Sequence, residues 1–145
     1  MKELIVDISK YNDPVDYAGL KANGIEAVIV KAGGSGGVDP LFLRHATGTK
    51  AAGLFLGLYY WIDPLYDGKT QANHFCTLAE NVEADFICGD IEQWWADWSK
   101  WYAWRQGKIL KSAVPVVTPK QIYRVSTDFV TQVLERLPSI RYVNY

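Results

Sequence analysis

The sequence has 145 residues, a formal net charge of −1 and 49% hydrophobic residues, which predicts one globular domain with a sizeable core. The balanced charge gives no electrostatic footprint for nucleic-acid binding, and no apolar stretch reaches the roughly 20 residues that span a bilayer. Aromatic content is high at 14%, and such rings either pack in a core or stack on flat, weakly charged ligands such as sugars. Cys76 and Cys88 lie in apolar runs without zinc-site spacing, so buried thiols are predicted and a disulfide is the alternative.

Apolar strands alternate with helical segments along the chain. Strands are predicted at residues 3–9, 26–34, 54–61, 84–92 and 140–145, and helices at 15–24, 39–53, 68–81 and 118–137. In the second helix, Asp39 is predicted as the cap, Pro40 as the first residue and Gly53 as the end. The stretch WADWSKWYAWRQGK fits either a loop or a helix.

Five strands and four helices in this order indicate βαβ units and an α/β fold with a parallel sheet. The sheet closes either as an open doubly wound sheet or as part of a (β/α) barrel. A complete eight-stranded barrel needs about 200 residues or more, so this chain would form an incomplete barrel of the TIM-like type. Residues 1–145 are expected to form a single domain.

The carboxyl ends of parallel strands line the functional face in either closure. Acidic and aromatic residues lie at these ends: Asp7, Tyr59, Trp61, Asp90, Glu92, Trp94, Trp95 and Tyr142. Lys31 ends the second strand and is interpreted as an ion-pair partner for neighbouring acids. The glycine loop at 33–37 lacks the Lys-Ser/Thr of a P-loop, which disfavours phosphate binding. His45 and His74 lie on predicted helices and are interpreted as surface or packing residues.

Asp90 and Glu92 are two residues apart on the predicted fourth strand. Their side chains would share one face, with Cα atoms roughly 6.5 to 7 Å apart. Repulsion between two such carboxylates raises one pKa, which leaves a proton available for general acid catalysis at an acetal. A bare pair of this kind is more often solvated, but a third acid at Asp7 and aromatic residues at other strand ends favour a site.

The ordered motifs DISKYN, VIVKAGGSGGVDPLF, GLYYW, QANHF, FICGDIE and IRYVNY resemble the glycoside hydrolase family 25 muramidases. These Chalaropsis-type lysozymes include phage endolysins and bacterial autolysins. The resemblance implies a barrel that cleaves the β-1,4 bond between N-acetylmuramic acid and N-acetylglucosamine in peptidoglycan, without a metal or organic cofactor. Chitinase-like enzymes, the main competitor, have a longer acid series than GDIEQWW.

The resemblance also implies roles for individual residues. By position, Glu92 resembles the general acid, and Asp90 resembles the partner that stabilises positive charge or orients the N-acetyl group of the substrate. Asp7 resembles a supporting acid across the pocket. Tyr59 and Tyr142 look like tyrosines that line the site, and the sugar-stacking residues are expected to be Trp61, Trp94 and Trp95.

One departure from the family pattern is that the sequence reaches Tyr145 directly after the fifth predicted strand. The three further strands of the family barrel, and the aspartate on its last strand, are not among these residues. We expect a second chain or another copy to supply the missing strands, with a remodelled segment at 96–139 as the alternative. An open piece would otherwise leave an unpaired edge and an apolar inner face.

The start MKELIVDISK is too short and polar for a signal peptide, so cytoplasmic synthesis is expected, with action on the bacterial wall after release, as for phage or prophage enzymes. Two other functions are compatible with the sequence. A non-catalytic module would hold wall glycan through Trp61, Trp94 and Trp95. An assembly protein would use the Trp-rich segment as its interface.

Overall fold

The computed structural model describes residues 4–92, 97–113 and 115–144. The strands are β1 (Leu4–Ile8), β2 (Ile25–Gly34), β3 (Gly37–Val38), β4 (Phe55–Trp61), β5 (Phe86–Asp90) and β6 (Arg141–Asn144). The helices are α1 (Tyr17–Ala22), α2 (Phe42–Ala51), α3 (Gly68–Val82), α4 (Trp98–Arg105) and α5 (Pro119–Arg136). The predicted alternation is confirmed. The short strand β3 in the glycine loop is an addition to it, and the Trp-rich stretch, for which a loop and a helix are both predicted as possible, contains the helix α4.

The sheet has the order β1-β2-β4-β5-β6, and every neighbouring pair in this series is parallel. Strand β3 lies off this series and forms an antiparallel hairpin with the end of β2. This arrangement confirms the predicted α/β fold with a mostly parallel sheet. No helix within the described ranges is long and apolar enough to cross a membrane.

Local sequence explains where most helices begin and end. The Asp67 carboxylate caps α3 by accepting the backbone N–H of Thr70, and Thr118 caps α5 ahead of Pro119. Gly53 follows α2 with φ of +69°, a conformation that glycine adopts without strain.

The start of α2 differs from the prediction. The helix begins at Phe42, and Asp39 is not its cap. Asp39 is instead buried, and its carboxylate accepts the backbone N–H groups of Leu41 and Lys10. It therefore joins the turn before α2 to the loop after β1, which is a long-range role that the helix-start pattern does not reveal.

Helices α2, α3 and α5 cover one face of the sheet. Alternate residues of β4 point into this core, where the rings of Tyr60 and Phe75 each lie 5.8 Å from the ring of Phe129, centroid to centroid. His45 is buried in α2 with Nδ1 2.6 Å from the Tyr17 hydroxyl oxygen, which is a packing role as predicted. Cys76 and Cys88 are both buried and unpaired, as predicted.

The opposite face of the sheet is not covered by the described residues, and we call it the uncovered face. It carries apolar side chains that are largely exposed: Ile5 at 51%, Phe55 at 62% and Val143 at 43%. A cavity of about 780 Å³ extends across it from β1 to β6. Barrel interiors are normally filled by layers of side chains, and this face corresponds to the inner face of such a barrel, against which no described residue packs.

The Tyr60 hydroxyl ties the core to the end of β2 and gives a stability prediction. It donates a hydrogen bond of 2.9 Å to the buried carbonyl of Gly34, and burial raises its pKa to about 12. Tyr60→Phe leaves that carbonyl without its partner, so we expect the free energy of unfolding to fall by about 1 to 3 kcal/mol. Urea denaturation measures this change, and Tyr123→Phe at an exposed position is the matched control. Equal stability of the two variants would contradict the assignment.

Candidate functional site

The carboxyl ends of the strands bring several predicted site residues to one edge of the sheet. The strand register pairs Gly34 with Trp61, and Trp61 with Asp90, so these three residues lie at the same level on neighbouring strands. Strand β5 ends at Asp90, two residues earlier than predicted. Glu92 therefore lies in the segment after the strand, where its side chain is exposed, and not on the strand itself.

Asp90 is half-buried and electrostatically distinct from an ordinary surface acid. Burial is the largest cause that raises its pKa, which reaches about 6, and the negative charge of Glu92 is the second. Lys31 opposes the shift and Asp7 adds to it. Glu92 and Asp7 therefore both act on Asp90, whose carboxyl group gains a proton as the pH falls through about 6. Desolvation thus raises the pKa of Asp90 more than the repulsion between carboxylates that their spacing predicts.

Lys31 lies beside the acids in an aromatic setting. Its Nζ is 4.5 Å from the centroid of the Trp61 ring and 5.7 Å from that of Tyr59, which are cation–π distances. It forms no ion pair within 4 Å among the residues that the structure describes. Its predicted pairing with the acids is therefore a through-space attraction to Asp90, while the rings hold the ammonium in place.

Asp7, Tyr59, Trp61 and Asp90 all occupy the alternate strand positions that face away from the helices. In β1 the neighbouring residue Ile8 is buried in the core, and in β4 the intervening residues are buried beneath the helices. Residues at alternate positions of a strand point to opposite faces, so these four side chains share the uncovered face and its upper edge.

Tyr142 does not join them. Strand β6 pairs Tyr142 with Ile87, and a side chain added at Gly89 would meet the Tyr142 hydroxyl and Ile62. The ring therefore packs on the helix-covered face, where burial raises the pKa of its hydroxyl. Arg141 and Val143 take the positions on the uncovered face, so Tyr142 does not lie beside the acids here, and its role in lining the site stays a prediction. Trp94 and Trp95 lie outside the described residues.

A second cavity, of about 410 Å³, lies beside the same edge and was not predicted. It is formed by the glycine loop and the start of α3, and its lining includes Ser35, Tyr60, Tyr66, Asp67, Thr70 and His74. These residues come from the connection after β2 and the connection after β4, so no local sequence motif predicts the cavity. Within the described ranges, no group of three or more His, Cys, Asp or Glu side chains is arranged to hold a metal ion.

Comparisons with known proteins agree on one family. Residues 6–135 match the profile of "Glycosyl hydrolases family 25". The autolytic lysozyme of Clostridium acetobutylicum is 30% identical over 89 residues, which are 60% of this chain and 27% of that protein.

Solved structures give the same result. The muramidase from Trichobolus zukalii is 25% identical with a TM-score of 0.71, over 96% of this chain and 62% of that one. The catalytic domain of endolysin ply40, from bacteriophage P40 of Listeria monocytogenes, shares the fold with a TM-score of 0.74 at 21% identity. That match covers all of this chain and 63% of the ply40 domain. The chain thus spans about a quarter of the lysozyme and under two thirds of these structures.

Proposed function

The chain belongs to glycosyl hydrolase family 25, and we propose that it acts as a muramidase on peptidoglycan, cleaving the β-1,4 bond between N-acetylmuramic acid and N-acetylglucosamine. The observation that carries this proposal is the group of acids at the carboxyl edge of the sheet: Asp90 is half-buried at the end of β5, Glu92 is exposed just beyond it, and Asp7 acts on Asp90 from β1. Two carboxyl groups in different environments are what acid-catalysed cleavage of a glycosidic bond requires.

In the proposed mechanism Glu92 protonates the leaving oxygen of the glycosidic bond. Its exposed position after β5 supports this role, because the side chain is accessible to a polymer lying across the strand ends. Asp90 is the partner that stabilises the positive charge developing on the sugar, or orients the substrate N-acetyl group. Asp7 adds negative potential from β1, and Tyr59 and Trp61 border the groove on β4.

Digestion of purified peptidoglycan with this chain, followed by measurement of new reducing ends, tests the proposal. A muramidase releases reducing ends and clears the suspension. A non-catalytic glycan-binding module would sediment with the walls and release none. The similar proteins are a lysozyme, a muramidase and an endolysin, which favours the enzyme. We also propose that the protein is made in the cytoplasm and meets the wall after release.

We further propose that the active form has its uncovered face closed by strands from a second chain or another copy. The support is physical: apolar side chains line the cavity of about 780 Å³, and β1 and β6 have unpaired outer edges in the described sheet. Exposed edges and apolar faces of this kind drive association.

If another copy of the chain covers the uncovered face, the mass in solution should exceed that of one chain. Without another partner, we expect light scattering to give an average mass above the 16.4 kDa of one chain. Phe55→Asp places a charge on the uncovered face and should shift the protein toward the monomer. Leu43→Asp is the matched control, since Leu43 is 64% exposed on the outer side of α2. A stable monomer that melts cooperatively would contradict closure by a partner.

A further inference from the structure

The cavity beside the glycine loop has an unusual hydrogen-bonding balance. Its donors are consumed internally: the Ser35 hydroxyl donates to Asp63, and the Thr70 hydroxyl donates to Asp67. The Tyr60 hydroxyl has one proton and donates it to the carbonyl of Gly34. Apart from the Tyr66 hydroxyl, which is largely exposed and can donate or accept, the side-chain groups left to face the cavity are therefore mainly acceptors.

The hydrogen bond that Tyr60 donates to Gly34 also bears on which ring nitrogen of His74 carries its hydrogen. Its Nδ1 lies 3.1 Å from the Tyr60 hydroxyl oxygen, whose own proton is already committed. We therefore assign the hydrogen of the neutral ring to Nδ1, which then donates it to the Tyr60 hydroxyl oxygen. In the neutral ring Nε2 is left as an acceptor, and no described residue bonds to it.

Asp67 adds a negative charge to this lining. It caps α3, and the two hydrogen bonds from Thr70, from the hydroxyl and the backbone N–H, are the largest causes that hold its pKa below the usual range. Lys69 and Arg124 contribute smaller attractions, yet Asp67 forms no ion pair within the described part of the chain. One carboxylate oxygen accepts both bonds from Thr70, so the other is available to a ligand.

These features select one ligand chemistry. An acceptor-rich cavity with a carboxylate repels phosphate and carboxylate groups, and it fits a donor that carries positive charge. The Tyr66 ring lines the cavity and is largely exposed, which offers a face for a cation–π contact. An ammonium group with three N–H donors matches Nε2 of His74, the free oxygen of Asp67 and the lone pairs of Ser35.

The position of the cavity links it to the acids. Gly34, on its wall, lies two strands from Asp90 at the same level, which is about 10 Å at the usual strand spacing. We propose that this cavity is a subsite for a primary ammonium group carried by the peptide part of peptidoglycan, held while the glycan lies across the acids. This inference rests on the proposed function for its ligand's source, although the cavity's preference for amines can be measured separately.

A soluble probe tests the cavity alone. Nα-acetyl-lysine methylamide, titrated into labelled protein, is expected to produce saturable NMR shifts at the Thr70 amide and the His74 ring. The same probe acetylated on its side-chain amine should produce none. Asp67→Asn keeps the capping acceptor but removes the charge, so it should weaken binding at least about threefold. Equal shifts with both probes, or unchanged binding by Asp67→Asn, would overturn the proposal.

Whole walls test the subsite in its proposed setting. In a Glu92→Gln background, in which cleavage should be strongly slowed, acetylation of the wall amines should weaken sedimentation at least about threefold. Asp67→Asn should be insensitive to acetylation, whereas Glu135→Gln, an exposed charge change near the far end of α5, should behave like the parent. Binding unaffected by acetylation overturns the subsite and leaves the muramidase proposal standing. Walls that the wild-type chain neither binds nor cuts overturn the muramidase proposal, and the soluble probe then decides the cavity.

Discussion

Replacing Glu92 with glutamine is expected to lower the rate of peptidoglycan hydrolysis by about 10²- to 10⁴-fold, the usual contribution of a general acid. Glutamine has nearly the same size and cannot donate a proton to the leaving oxygen. Because Glu92 is exposed and lies after the end of β5, its replacement should change the free energy of unfolding by less than about 0.5 kcal/mol. The assay is the release of new reducing ends from purified walls.

The control for this variant is Glu135→Gln, which removes the same charge from an exposed site on α5. It should retain full activity, so that a loss in Glu92→Gln reports position and not net charge. Circular dichroism and denaturation curves for both variants should match the wild type. Undiminished release of reducing ends by Glu92→Gln would remove this residue from the proposed mechanism.

The structure separates the two acids more clearly than the sequence does. As neighbours in GDIE they look equivalent, and a solvated pair is a reasonable alternative. In the fold Asp90 is half-buried at the end of β5 while Glu92 is exposed beyond it. Two carboxyl groups with such different solvation take different roles in acid-catalysed reactions, which the bare spacing cannot show.

Elements with a strong period and local end signals are predictable from this sequence. Helix α3, predicted at 68–81, spans Gly68–Val82, and its start follows the capping Asp67. The sequence predicts that β5 runs to Glu92, two residues beyond its observed end at Asp90. Ile91 continues the apolar alternation, and no glycine or proline marks the end of the strand. The strand stops where its pairing with β4 stops, at Trp61 and Asp90. The end of β5 is therefore set by the neighbouring strand and not by its own sequence.

Some site residues can also be placed from local sequence, whereas others depend on contacts between distant segments. Asp7, Tyr59 and Trp61 follow from strand alternation, because the residues between them are plainly core. Tyr142 was assigned by its position in a motif, and its face depends on how β6 registers against β5, where a shift of one residue reverses every side chain. The cavity near His74 depends on two crossovers that meet only in space, so it required the structure.

Replacing Asp90 with asparagine is expected to change activity and stability in opposite directions. Activity should fall by about 10²- to 10³-fold, since a charge aimed at the developing positive centre is lost. Above about pH 6 the variant should be more stable than the wild type, because burial and the neighbouring acids disfavour the Asp90 carboxylate in the folded wild-type chain. Urea denaturation of both proteins at about pH 5 and about pH 8 measures the effect.

The sign follows from the raised pKa of Asp90. The folded state holds the Asp90 proton more tightly than the unfolded state, so the favourable contribution is fully present below the unfolded pKa of 3.8. It is lost as the pH rises through the folded value of about 6. Asparagine stays neutral at every pH, so the stability of the variant should not decline in this way. Its free energy of unfolding should therefore exceed that of the wild type most at alkaline pH.

The same titration governs catalysis in the opposite sense. Wild-type hydrolysis should fall as the pH drops through about 6, because protonation of Asp90 removes the stabilising charge. The residual activity of Asp90→Asn should lack that acidic limb. Asp7→Asn, the most weakly coupled of the charges acting on Asp90, should keep the limb and shift it slightly to lower pH. An acidic limb that persists unchanged in Asp90→Asn would assign the titration to another group.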